Sequence, residues 1–331
     1  MQMTKATRQK YAGSTSSLGP TLAHLYFLVS RFRGVTPRNV SHAFQKESKN
    51  FTQASRQPAI TTISPSDGVF AVDATKLDSN YNVLSDLGTI LEKIFTSPKG
   101  ALDEYLRHEH ATHIVEDAAA STMPEHPLVT VGTVPPDSGA NSENPTKSAP
   151  DSTLDSSLAS AKEDRKPEAY RFSKVGDLLV RSQLDCFHPN LSRKVFDLKT
   201  RATVAVRLDV SNYKDYVGYK LTRYRGLFSS YEREYYDMIR SAFLKYSFQV
   251  RLGRMDGIMV AYHNTDEIFG FQYIPLSEID ICVFGNSVMG RASFSLCVQL
   301  LNVILNKVTS SVKSSVRILE VIGKGIIEEW Y

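Results

Sequence analysis

The sequence predicts an α/β or α+β domain built on a mixed sheet. Three observations lead there. In the C-terminal half, apolar strand-like runs are followed by a strongly periodic helix and then by strands again, the order of a sheet flanked by helices. The 331 residues are 42% hydrophobic and 22% charged, values of a globular protein that buries its own core and not of a fibrous or wholly disordered chain. No apolar run approaches the roughly 20 residues needed to span a bilayer.

Taken in order, the elements begin with an apolar run at 21–30, read as a helix with Ser17 or Thr21 as its cap. Residues 68–73, Gly-Val-Phe-Ala-Val-Asp, read as a strand. Leu84, Leu87, Ile90, Leu91, Ile94 and Phe95 recur at three- and four-residue spacing, an amphipathic helix closed by Pro98. From 121 to 160 there are eight serines, six prolines and no aromatic residue, so this stretch cannot offset its ordering entropy by burial. The chain is therefore divided into a region at 1–115 that packs on the core, a disordered insert at 116–165, a core at 166–309 and a divergent tail at 310–331.

In the core, 177–186 and 194–200 are strands separated by His188-Pro-Asn190, a turn signal. Residues 202–210 continue in extended form, 231–246 form the clearest helix, 255–262 and 268–274 are strands, and 293–305 is a last apolar helix.

Charge is uneven beneath a net of only +4. Residues 1–46 hold seven bases and no acid, 116–170 a net of −6, and 171–261 a net of +8. A basic segment of this size suits a polyanion such as RNA. Within it, Tyr213, Tyr216, Tyr219, Tyr224, Phe228 and Tyr231 alternate with Lys214, Lys220, Arg223 and Arg225, the pairing of aromatic and basic groups used for single strands. The acid-free start has the composition of a mitochondrial presequence, yet from Lys10 onward it reads as folded protein. Three cysteines without a C-x-x-C exclude a disulfide framework and a four-cysteine zinc site.

The chemistry-bearing phrase is 184–200. A hairpin centred near Leu191 sets Asp185 opposite Asp197, and the two-residue strand period points Asp197 and Lys199 the same way. Two carboxylates and an ammonium then converge, a set suited to Mg²⁺ or Mn²⁺ and to phosphoryl chemistry. A salt bridge between strands is the plain alternative. This D…D-x-K arrangement resembles that of the PD-(D/E)XK nuclease superfamily. The wording of Arg181-Ser-Gln-Leu-Asp-Cys186, Val195-Phe-Asp-Leu-Lys-Thr-Arg-Ala202, Ser230-Tyr-Glu-Arg-Glu-Tyr-Tyr-Asp-Met-Ile-Arg240, Arg254-Met-Asp-Gly257 and Lys10-Tyr-Ala-Gly-Ser-Thr-Ser-Ser17 is similar to a fungal mitochondrial RNA 5′-end processing and degradation family.

The resemblance implies a PD-(D/E)XK nuclease-like mixed sheet and a metal-dependent exoribonuclease that trims and degrades mitochondrial transcripts. It further implies a protein required for respiratory growth, peripherally associated with the mitochondrial membrane on the matrix side without a transmembrane segment, and working beside other mitochondrial RNA-processing or transcription proteins. Asp185, Asp197 and Lys199 are then catalytic. Asp185, Asp197 and Glu92 of the 84–96 helix hold the metal, since these nucleases often add a glutamate from a preceding helix. Arg201, Arg233, Arg240, Arg251 and Arg254 contact RNA phosphates. The competing reading is a non-catalytic RNA-binding factor that recruits or regulates other mitochondrial RNA enzymes.

Overall fold

The structure, a computed structural model, describes residues 1–57, 59–75, 83–96, 169–311, 316–320 and 327–330. The insert expected at 116–165 lies outside the described residues. In chain order the elements are α1 (Gln2–Ala6), β1 (Tyr11–Ser14), α2 (Thr15–Val29), β2 (Ala59–Ser66), β3 (Val69–Thr75), α3 (Val83–Thr96), β4 (Tyr170–Val175), β5 (Leu178–Gln183), β6 (Cys186–Phe187) and β7 (Val195–Ala202). They continue with α4 (Val204–Leu208), α5 (Tyr231–Ser241), α6 (Phe243–Leu252), β8 (Gly257–His263), β9 (Ile268–Pro275), α7 (Leu276–Phe284), α8 (Ser287–Ser311), β10 (Val316–Glu320) and β11 (Ile327–Trp330).

Among the described residues these strands form two mixed sheets. The larger has the order β11-β10-β2-β3-β1-β5-β4, and the smaller β6-β7-β8-β9. In the larger sheet β1 lies between β3 and β5 and runs parallel to both, with Ser14 beside Arg181. The first and last thirds of the chain thus share one sheet. In the smaller sheet β7 and β8 are parallel, which requires a long crossover, supplied by α4, α5 and α6. The β4–β5 hairpin turns through Gly176 at φ +59, and a Cβ added there would stand 1.8 Å from the Asn302 side chain, so only glycine fits.

Helix α2 is buried nearly all round. Leu18, Leu22, Leu25, Tyr26 and Phe27 are each 4% exposed or less, and the helix packs on α6, α8 and β3. Its cap is Ser14, whose Oγ accepts the Ser17 N–H at 3.1 Å, and not Ser17 or Thr21. The helix begins six residues earlier than its apolar run because the small polar residues of its first turn are satisfied by this cap.

Three other expectations change. The segment 202–210 leaves the extended form after Thr203 and coils into α4, because the buried Glu234 carboxylate accepts the Val204 N–H at 2.6 Å and pairs with Arg207 at 2.7 Å. The helix at 231–246 is two helices, broken where Ala242 adopts φ −128. The last helix is much longer than 293–305. By length and composition α8 reaches the size of a membrane span, with an 18-residue stretch inside Ser287–Ser310 of mean hydropathy 1.5, contrary to the expectation that no segment does. Here its Cys297, Val298, Leu301 and Leu305 sit in the core beside Phe248 and Phe284.

Candidate active site

The β6–β7 register sets Cys186 opposite Phe196 and Phe187 opposite Val195. Both pairs are symmetric about residue 191, the centre expected from the sequence, and the next pair outward is Asp185 with Asp197. The turn is closed by the His188 N–H donating to the Lys194 carbonyl at 2.9 Å. Strand β6 spans only Cys186–Phe187, so beyond Phe196 that edge of β7 has no strand partner among the described residues. The Asp185 carboxylate takes up that position and accepts the Leu198 N–H at 3.1 Å. An edge amide that would otherwise pair with a strand is satisfied by a side chain.

The two carboxylates meet. Asp185 and Asp197 line the same cavity and stand close enough for each to feel the other's charge. Burial first, and then the neighbouring Asp197 carboxylate, push the Asp185 carboxyl up to about 8. Lys199, on the same face of β7, places Nζ 2.5 Å from Asp197 Oδ2, with 17% of the lysine side chain and 3% of the aspartate exposed. Burial, the largest single influence, would lower the lysine's pKa, but Asp197, Tyr246 and Asp185 together outweigh it and raise the group, keeping it an ammonium. Its Nζ also lies 5.7 Å from the Tyr246 ring centre on α6. From the same helix the Gln249 amide donates to Asp197 Oδ1 at 3.4 Å.

Helix α3 packs against β7 and brings Glu92 to the group. Burial raises the Glu92 carboxyl, Lys199 opposes the rise and Asp197 adds to it. These side chains line one wall of a cavity of about 150 Å³. Ser14, Thr15 and Ser16 from the start of α2, with Tyr170, Arg181 and Gln183 from β4 and β5, line the other. Sequence reasoning missed this second wall. Its only signal was the similarity of the 10–17 block, and nothing local places that block beside Arg181.

Two neighbouring carboxylates are hard oxygen donors whose mutual repulsion a cation relieves, which fits Mg²⁺ or Mn²⁺. Among the described residues no three His, Cys, Asp and Glu side chains form a complete metal cluster. The protein would then supply part of the coordination and water the rest, the usual habit of Mg²⁺.

The five arginines expected to contact RNA are not brought together at the site. Arg251 is a correction: its guanidinium grips both Asp280 oxygens at 2.7 and 2.8 Å, and only 7% of its side chain is exposed. Arg201 is another. It lies buried on the same face as Lys199, and burial, then Arg207, lowers it to about 10. Arg233 pairs with Asp237 at 3.0 Å one helical turn on, and Arg240 donates to the Asn50 carbonyl at 2.8 Å over the Tyr236 ring. Arg254 alone of the five is exposed, at φ +51.

The chain matches the family described as mitochondrial protein Pet127 over residues 1–306. A Schizosaccharomyces pombe relative named mRNA degradation protein pet127, mitochondrial, is 36% identical over 308 residues, covering 91% of this chain and 50% of the relative. A Saccharomyces cerevisiae relative, named as a candidate mitochondrial translation system component, PET127, is 32% identical over 290 residues, 86% of this chain and 29% of the relative. The chain thus spans half the length of the first relative and under a third of the second. Among solved structures, Scheffersomyces stipitis Rai1 aligns over 98% of this chain and 69% of its own at 8% identity and TM-score 0.40. Candida albicans Rai1 in complex with pU5-Mn2+ aligns over 98% and 70% at 12% identity and TM-score 0.39. A likeness this loose carries no inference about the chemistry of this chain.

Proposed function

The chain belongs to the mitochondrial protein Pet127 family, and on that premise we propose that it is a metal-dependent ribonuclease of mitochondria, hydrolysing RNA phosphodiesters in 5′-end processing and turnover. The observation that carries this reading is the meeting of Asp185, Asp197 and Lys199 in one open cavity. A bound Mg²⁺ or Mn²⁺ would supply activation of a water and neutralisation of charge at the phosphorus.

The residues divide the remaining work. Asp185 is anchored by the Leu198 N–H and Asp197 by Gln249, so both carboxylates are held in place before a cation arrives. Glu92 stands within electrostatic reach of both Asp197 and Lys199 and would add negative charge beside the pair, reaching a cation there through water. Lys199 remains charged and, once the aspartates are engaged elsewhere, faces the cavity where the substrate phosphate develops negative charge. The name of the Schizosaccharomyces pombe relative supports the setting, mitochondrial mRNA degradation, and membrane association and RNA-processing partners belong to the same proposal.

The test is incubation of 5′-labelled RNA with the purified chain in Mg²⁺, Mn²⁺ or EDTA. Metal-dependent shortening is expected. One specific feature favours the recruiting-factor reading: Lys199 already neutralises the carboxylate pair. RNA binding without turnover in either metal would establish that reading and remove this one.

A further inference from the structure

The loop that precedes α5 holds large apolar side chains in water. Tyr224 is 85% exposed and Phe228 75%, among the most exposed large side chains described. Such exposure on a floppy segment would mean little. This segment is tied. The Thr222 and Arg223 N–H groups donate to the Ser229 carbonyl at 3.0 and 3.2 Å, and the Tyr231 N–H to the Arg223 carbonyl at 3.1 Å. The Glu232 N–H donates to the Tyr224 carbonyl at 3.1 Å. Inside the loop the Gly226 N–H donates to the Glu232 carboxylate at 2.6 Å, and Gly226 stands at φ +122.

The ring of Tyr224 is also supported from below. It stacks on Tyr231 at 5.8 Å and 24°. The Tyr231 hydroxyl donates to the Phe269 carbonyl at 2.6 Å, and its ring meets the fully buried Tyr262 edge-on at 5.5 Å. One face of Tyr224 is thus fixed to the core and the other is open. Arg223 and Arg225 flank it, both exposed, and their guanidiniums hold no ion pair or side-chain hydrogen bond among the described residues. From 218 to 230 there are three bases and no acid.

We propose that this knob is a single-stranded RNA clamp separate from the catalytic cavity, with Tyr224 and Phe228 stacking on bases and Arg223 and Arg225 taking the flanking phosphates. It rests on the reading that the substrate is RNA. A rigid ring with one open face pays little entropy when a base stacks on it, and free guanidiniums on both sides match the phosphate repeat. An apolar protein partner is disfavoured by that flanking charge.

The experiment uses the full chain and a fluorescein-labelled 12-mer of oligouridylate in EDTA, read by anisotropy. Tyr224→Ala should weaken binding about tenfold while Tyr224→Phe stays within about twofold of the parent, because the ring and not the hydroxyl does the stacking. The pair Arg223→Gln and Arg225→Gln should flatten the salt dependence by about 1.4 in log–log slope. Duplex RNA, whose bases are not free to stack, should show no effect of Tyr224→Ala. The proposal is overturned if Tyr224→Ala, melting as the parent does, binds the single strand equally well, or if it loses duplex binding by the same factor. A parent that cleaves RNA but ignores Tyr224 removes the clamp alone. A parent that binds through Tyr224 and never cleaves removes only the hydrolytic reading.

Discussion

Asp197 and Lys199 are two residues apart on one strand and do different work. Asp197→Asn keeps the size and the contact with Gln249 but removes the charge that would hold a cation. Cleavage should fall at least about a hundredfold, with RNA affinity kept. Lys199→Ala should cut turnover comparably while Mn²⁺ binding, followed by titration calorimetry, is retained, since the ammonium is no ligand. If Asp197→Asn cleaves like the parent, the assignment fails. The resemblance and the hairpin symmetry made these two residues and Asp185 readable, because strand period and turn length are local rules. The arginines were not readable in this way. A charge count cannot tell a solvated guanidinium from Arg251, whose partner Asp280 lies on another helix.

At the scale of an element, β8 ends in His263, which is 2% exposed and accepts the Thr265 N–H on Nδ1 at 3.1 Å. Burial lowers its pKa to about 4. The unfolded chain, with a histidine near 6.5, binds the extra proton first as pH falls. This histidine's contribution is therefore fully present above about pH 6.5 and lost as pH drops towards 4. Between pH 7 and 4.5 the loss should be on the order of 2 kcal/mol. His263→Asn keeps an acceptor for Thr265 without titrating, so its urea midpoint should move less over that interval than the parent's. An equal shift in both proteins would show that other groups carry the effect. Helices behaved similarly to strands in legibility. The apolar spacing of α3 announced itself, whereas α4 exists because the buried Glu234 reaches across to Val204 and Arg207.

Across the whole molecule, the parallel insertion of β1 between β3 and β5 joins residues 1–97 and 168–331 into one compact unit. A site-specific protease sequence placed near residue 139 should therefore yield two fragments that co-elute and melt together, as seen by size exclusion and circular dichroism. Residues 168–331 expressed alone should lose cooperative melting, since β5 would lack its neighbour and α6 and α8 the apolar surface of α2. Separate elution of the cut fragments would break this account. The sequence by itself determined the mixed α/β class, the periodic helix carrying Glu92 and the hairpin that sets Asp185 against Asp197, all products of spacing within a dozen or so residues. Tertiary structure alone decided that the four residues Tyr-Ala-Gly-Ser of β1 are a central strand. Their β propensity is weak, and they are held there by burial of Tyr11 and by two neighbours drawn from distant parts of the chain. That pairing is also what carries Ser14 to Arg181 and closes the second wall of the cavity, a contact that no local pattern encodes because its stabilisation comes entirely from surfaces far away in sequence.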